Sequence, residues 1–403
     1  MRIKTVDSFV VRIPFDDTRP FSGAISTRAA PAEQHDDLTT TYPPRWRTTA
    51  VYTDRIEAVI VRIETNNGFV GWGEIHTPVV GEISKVVVDH LLAPLIHNHD
   101  PRDIHPLWEK MYASMRIRGQ MSGYQLEAMS GIDIALWDIV GKAVKVPIAK
   151  LLGGKIRNQV PVYASCLPAI PLTSDGDGVR QIVDRACTLV EQGYRAFKIK
   201  LGGSVENDQA VLEQLRQAVG DKIGIAVYVN GAYDLALARR AGRMMQAFNV
   251  QWIEDPLTPE NMHDYSRLAR FLDVPIAGGG SLNNRWQFND YLSNAAFDLI
   301  QPDVSRAGGL SECRRIAMLA DTYGIPFAPH VSRGTAIYMA ASLQWAASGT
   351  NLMTCEWPVD QERAGNGILN EPFQFAAGYV TLNDEPGLGI HIDETALMQW
   401  VVS

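Results

Sequence analysis

The sequence predicts an α/β barrel, and three observations carry that expectation. FKIK at 197–200 alternates Phe197 and Ile199 with Lys198 and Lys200, the period-2 pattern of a strand whose two faces meet different surroundings. Six further apolar runs follow: AVYVN (226–230), QWIED (251–255), VPIAGGG (274–280), DLIQPD (298–303), IPFAPH (325–330) and LMTCEW (352–357). Marked by Lys200, Tyr228, Glu254, Gly280, Asp303, His330 and Glu356, the strand ends recur at steps of 28, 26, 26, 23, 27 and 26 residues, room for one strand and one helix each. Alternation of this kind gives parallel strands with right-handed crossovers. Seven or eight such units close into a barrel, and its C-terminal strand ends form the mouth where chemistry sits.

In chain order, residues 1 to about 75 read as a strand, a long polar loop and a hairpin. The hairpin is RIEAVIVRIET, NNG, FVGWGE (55–74), in which Asn66, Asn67 and Gly68 tolerate the positive φ of a tight turn. The loop at 15–49 carries Arg19, Arg28, Arg45, Trp46 and Arg47. Loops of that length are functional lids or solvated excursions; as a lid, it brings Arg45 and Trp46 to an anionic ligand. From Glu82 to Val144 the pattern turns helical, and Met129, Ile132, Ala135, Leu136, Ile139 and Val140 share one face of a helix expected to join two domains. The histidines in this stretch, His90, His97, His99 and His105, lack a fixed ligand spacing and point to no metal. After LLGG (151–154) and VPVYAS (160–165) the strand–helix units begin, the first helix stopping at Gly193. The last segment, from AAGYV to the end, is strand-like and is expected to return to the N-terminal domain.

Composition narrows the class. With 46% hydrophobic and 20% charged residues in a chain of 403, the protein reads as an ordinary globular chain. No run approaches a membrane span, and the N-terminus alternates like a strand rather than like a secretory signal, so a cytoplasmic location is expected. The net charge of -8 offers no basic stripe for nucleic acid. Cys166, Cys187, Cys313 and Cys355 are widely spaced, which favours buried thiols over disulfides or a zinc site.

Taken together, GFVGWGE, SGIDIALWDI, LLGG, the KxK pair, the Asp–His pair on successive strands, the late glutamate and GLGI resemble the mandelate racemase/muconate lactonizing enzyme branch of the enolase superfamily over nearly the whole chain. The resemblance implies a modified TIM barrel, (β/α)7β, spanning 131–375, with an α+β capping domain formed by 1–130 and the returning tail 376–403. It further implies removal of the proton α to a carboxylate, with the enediolate stabilised on magnesium, and assembly as a homo-oligomer.

Carried over residue by residue, Lys200 resembles the lysine base, with Lys198 beside it to depress its pKa and contact the substrate carboxylate. Two ammonium groups on one strand face repel, which favours the neutral amine a base must be. His330 resembles the base on the opposite face and Asp303 the residue that orients it, while Glu356 resembles the acid that hydrogen-bonds the enediolate. Glu254 and Asn230 match positions near the metal. Two of the three carboxylate ligand positions are substituted, by Tyr228 and Gly280. Strand alternation points Asp255 away from the side that Glu254 faces. Glu254 with Asn230 makes a poor cage for an ion that wants hard oxygen ligands in octahedral geometry, so a degenerate metal site is expected. Restoring Asp at 228 and Glu at 280 is expected to create magnesium binding.

Two function classes follow. One is a lyase or isomerase acting on a hydroxy acid or sugar acid, by dehydration, racemisation, epimerisation or lactone cycloisomerisation. The other is a catalytically impaired relative that binds a carboxylate ligand without metal-dependent turnover.

Overall fold

The computed structural model of the chain describes residues 1–14, 25–26, 50–53, 55–167, 177–359 and 365–403. The loop at 15–49, including Arg45 and Trp46, lies outside these residues apart from Ile25–Ser26, which pairs with Val51–Tyr52.

Strands Ile3–Pro14, Arg55–Thr65 and Val70–His76 form an antiparallel sheet in that order. Of the hairpin's three turn residues only Gly68 takes a positive φ, 86°. The Thr65 hydroxyl accepts from Phe69 N–H and fixes the turn, so the asparagines need no left-handed conformation. One face of the sheet buries Val10, Val59, Val61, Ile63 and Ile75 against Trp108, Met111, Met129 and Ile132 of helices Ile104–Arg116 and Tyr124–Val144. The other face gives Val11, Ile13, Ile56, Ala58 and Ile60 to the larger core shared with the barrel. Helix Tyr124–Val144 serves both cores, through Ile134 on one side and Leu136 on the other. The boundary expected after residue 130 falls inside this unbroken helix.

The GWGE motif sets how closely sheet and helix approach. A Cβ built on Gly73 would lie 1.8 Å from the Gly131 carbonyl oxygen, and one on Gly71 2.1 Å from that of Ala135. Backbone cannot yield as a side-chain tip can. Gly73→Ala is therefore expected to cost more than the roughly 1–3 kcal/mol typical of overpacking, read as a fall in Tm or a loss of folded protein. An unchanged Tm would show that helix and sheet can part freely.

The barrel runs through Gln159–Leu167, Ala196–Lys200, Gly224–Tyr228, Val250–Glu254, Ile276–Gly278 and Leu299–Ile300, all neighbours parallel. Bridges from Ile300 to Phe327 and from Phe327 to Leu352 carry it to a last strand, Cys355–Pro358, which pairs in parallel with Gln159–Leu167 and closes the ring. Counting the short seventh strand at Phe327, eight strand positions alternate with seven helices, from Asp177–Glu191 to Ala336–Ser348. This is the expected (β/α)7β pattern. Side-chain caps at Ser204, Asp234, Asn261, Asn284 and Thr335 accept from the first-turn N–H groups of their helices and help each crossover begin at a defined residue. Alternation sorts the strand residues. Phe197, Ile199, Ile225, Val227, Ile253 and Ile300 face the helix layer. Tyr163, Ala226, Trp252, Ala277, Leu299 and Ala328 fill the interior, two large aromatic rings among small residues.

The tail divides. Tyr379–Thr381 pairs antiparallel with the first barrel strand, and only the last residues rejoin the N-terminal sheet, through Val10 N–H to Ser403 O and Val402 N–H to Val10 O, both 2.9 Å. Between them GLGI docks on the junction helix, where Asp138 accepts from Leu388 N–H at 2.9 Å. No helix among the described residues is long and apolar enough to cross a membrane. Cys187, Cys313 and Cys355 are free.

Candidate active site

The interior parity that places Trp252 and Leu299 in the barrel carries two residues further to its C-terminal mouth. Lys198 and Lys200, Tyr228, Glu254, Gln301 and Asp303 continue the inward-facing rows of their strands, and Ser165, His330 and Glu356 join them from strands one, seven and eight. Asp255 follows Glu254 with φ 43°. As alternation predicts, its carboxylate lies on the helix side, against the Cα of Gly278 and the ring of Phe297. Burial there pushes its pKa up to about 7.

One half of the mouth is a histidine held by a carboxylate. His330 Nδ1 lies 2.8 Å from Asp303 Oδ2, inside the roughly 2.6–3.2 Å reach expected of a working pair. Asp303 is fully buried and well supported: Oδ1 accepts from Ser305 N–H at 2.8 Å, and Oδ2 accepts from the Tyr338 hydroxyl. With Nδ1–H donating to Asp303, Nε2 is the lone-pair nitrogen. Burial favours the neutral ring, but the Asp303 bond and the charges of Glu356 and Asp303 outweigh it and raise the His330 pKa above its ordinary value. The same pairing holds Asp303 below the usual carboxylate range despite its burial.

The other half is organised around Lys198. Its Nζ lies 2.6 Å from Glu254 Oε1 and 2.8 Å from Glu356 Oε1, all three side chains being almost fully buried. Burial alone would lower the lysine pKa, but the two glutamates reverse this and hold the ammonium charged. Glu254 Oε2 also accepts from Gln301 Nε2 at 2.6 Å. Glu356 accepts from the Ser165 hydroxyl and from Val331 N–H at 3.1 Å. Burial would raise its pKa, yet Lys198 and His330 keep it lowered. Lys200 Nζ stands 5.9 Å from the Tyr228 ring centroid, and Lys198 5.4 Å from the same ring.

The geometry adds two things to the reading of these residues. Lys198 is not a bare cation depressing its neighbour, because two carboxylates compensate its charge and weaken its field at Lys200. Glu356 accepts from Ser165 and Val331 and lies 2.8 Å from the Lys198 ammonium, so in this arrangement it is also the partner of Lys198.

The chain matches "Mandelate racemase / muconate lactonizing enzyme, N-terminal domain" over residues 34–153 and "Enolase C-terminal domain-like" over 181–396. It belongs to the mandelate racemase group of the enolase superfamily. It is 36% identical to D-galactarolactone cycloisomerase of Agrobacterium fabrum over 86% of this chain and 92% of that protein. It is 33% identical to arabinonate dehydratase of Saccharolobus solfataricus over 84% and 88%. Among solved structures, a member of the enolase superfamily from Agrobacterium tumefaciens superposes with TM-score 0.87 at 27% identity, covering 100% of this chain and 99% of that one. A racemase from Streptomyces coelicolor with bound magnesium superposes at 0.84 and 26%, covering 99% and 100%.

Members of this superfamily generally use magnesium, an ion bound through oxygen donors. Glu254 has both oxygens engaged, by Lys198 and by Gln301. The Tyr228 hydroxyl donates to Asn230 Oδ1 at 2.5 Å, and Gly280 supplies no side-chain oxygen. The space a side chain at 280 would take is tight: a Cβ there would lie 3.0 Å from His330 Cδ2 and 3.1 Å from Cγ. Among the described residues no group of three or more His, Cys, Asp and Glu side chains could hold a metal ion. Magnesium takes near-octahedral oxygen ligands at about 2.0–2.1 Å; of positions 228, 254 and 280 only Glu254 offers a carboxylate, and Lys198 and Gln301 hold it.

Several residues of the enolase-type mouth escaped the reading by motif. Ser165 and Gln301 carry the inward parity of their strands, a signal present in VPVYAS and DLIQPD. Others come from outside the strands. Arg306, from the loop after strand six, bonds Glu127 of the junction helix at 3.1 Å and the Gly280 carbonyl at 3.1 Å. Glu74 accepts from Thr335 N–H at 2.8 Å, from the Thr335 hydroxyl at 2.5 Å and from Tyr338 N–H at 3.1 Å, fixing the helix that carries Tyr338. Arg333 donates to Thr53 O at 2.6 Å, tying the end of the long loop to the rim.

Proposed function

We propose that this protein abstracts the proton α to the carboxylate of a hydroxy acid or sugar acid, and that His330 and Lys200 are the proton-transferring groups. The observation that carries the reading is the buried Asp303 holding His330 Nδ1 at 2.8 Å, which leaves Nε2 free to accept a proton at the mouth. The charges fit the task. Against the effect of burial, the Asp303 hydrogen bond raises the imidazole pKa above its ordinary value, which strengthens Nε2 as a proton acceptor. Lys200 stands on strand two and His330 follows strand seven, so a proton can leave toward one residue while the other returns a proton or assists a departing hydroxyl.

The relatives named as a cycloisomerase of a galactarolactone and a dehydratase of arabinonate support a polyhydroxy acid as substrate. They also support an elimination or ring-forming outcome following the common first step.

Incubation of the protein with a panel of sugar acids and their lactones in deuterated water tests this. Deuterium is expected at the α carbon of at least one of them, read by NMR, and Lys200→Ala is expected to reduce it by about 10²–10⁴-fold. No exchange with any member of the panel would instead favour a barrel that binds a carboxylate without turnover.

A further inference from the structure

We infer that the Lys198 ammonium, clamped between Glu254 and Glu356, is the resident cation of this site and stands in place of a divalent metal. The inference deepens the reading of the mouth as an acid–base site and rests on it for its mechanistic meaning.

Three observations converge. Lys198 is 6% exposed and lies within 2.8 Å of both glutamates, so the negative charge that would attract a dication is already matched by a covalently fixed one. Separately, the His330 ring lies tightly over Gly280, so a liganding side chain from that strand end would crowd the imidazole held by Asp303. Last, Gln301 and Ser165 donate to the same two glutamates. Donors aimed at both carboxylates orient them toward the ammonium and engage both oxygens of each, which suits a buried ion pair.

The arrangement also supplies chemistry. The glutamates take two of the three ammonium N–H groups, leaving one for a ligand oxygen. When the α C–H bond breaks, its proton passes to His330 Nε2 and its electron pair flows into the carboxylate, giving an enediolate with one additional negative charge. A fixed N–H donor in a water-poor site stabilises charge that develops there. One ammonium replaces a dication's focus with a smaller charge that needs no loading from solution.

The test measures metal binding without relying on turnover. Native protein purified in magnesium is expected to carry clearly less than one equivalent per chain, and its Tm is expected to be the same in magnesium and in chelator. Lys198→Met leaves Glu254 and Glu356 uncompensated and is expected to melt lower than the native protein and to gain a magnesium-dependent rise in Tm. Lys198→Arg, which keeps the charge, is expected to stay indifferent to magnesium. Stoichiometric magnesium on the native protein overturns the inference, as does a folded Lys198→Met variant that ignores magnesium. Should Lys198→Met not fold, the native measurement and Lys198→Arg decide. Absence of deuterium exchange alongside magnesium indifference would sink the catalytic reading and leave the resident cation standing.

Discussion

Replacing His330 by asparagine is expected to slow α-proton exchange by about 10²–10⁴-fold, the share that a positioned general base contributes. The pH profile makes the assignment specific. His330 must be neutral to accept a proton, and Asp303 raises its pKa above the ordinary 6.5, so the rate is expected to climb with pH through that raised value. Asp303→Asn removes the charge and replaces an acceptor-only carboxylate by an amide that can also donate to Nδ1, and burial, which favours the neutral ring, then dominates. The acid limb of that variant is expected to move to lower pH while its maximal rate falls, because the imidazole is no longer fixed in its tautomer. A group that only packed beneath the histidine would lower the rate without moving the limb. An Asp303→Asn variant with native rate and native limb would show that the buried dyad takes no part.

The second large effect concerns an attempt to rebuild a metal site. From sequence alone, Tyr228→Asp with Gly280→Glu should restore two carboxylates and with them magnesium binding. The tertiary structure reverses that expectation. A side chain at 280 starts 3.0 Å from the His330 ring, so the imidazole must give by a few tenths of an ångström, and Lys198 still holds Glu254 at 2.6 Å. The double variant is expected to bind no magnesium, because the Lys198 ammonium still occupies Glu254, and to exchange the α proton more slowly than the native protein, because the His330 ring is shifted against Asp303. Adding Lys198→Met removes the competing cation and is expected to switch magnesium binding on. Metal analysis and calorimetry of the double and triple variants check both statements. Tight magnesium on the double variant would mean that Lys198 and His330 yield their positions readily.

The tail shows how far linear reading reaches. Its alternation announced strands, but their partners are split between the first barrel strand and Ile3–Pro14. Alternation records that a segment has two faces and says nothing about which edge it meets. The lid residues Arg45 and Trp46 lie outside the described structure, and their part in ligand binding stands as a proposal.

By itself the sequence determined the barrel and the register of its mouth. Period-2 alternation with a constant spacing fixes which residues end inward-facing rows, and Lys200, Asp303, His330 and Glu356 follow from that arithmetic. Only the tertiary structure decided which charges meet. Lys198 and Glu254 are 56 residues apart in the chain and 2.6 Å apart in space, and neither residue's neighbours in sequence announce the other. The pairing turns a lysine read as a free cation into a compensated one, and a second glutamate, Glu356, 2.8 Å from the same ammonium, shares in it. Arg306, Tyr338 and Glu74 enter the site in the same way, through loop and helix contacts that strand periodicity does not encode. The physical reason is that strand pattern is a local property of the backbone, whereas the charge state of a buried group is set by whatever the fold brings within a few ångströms of it.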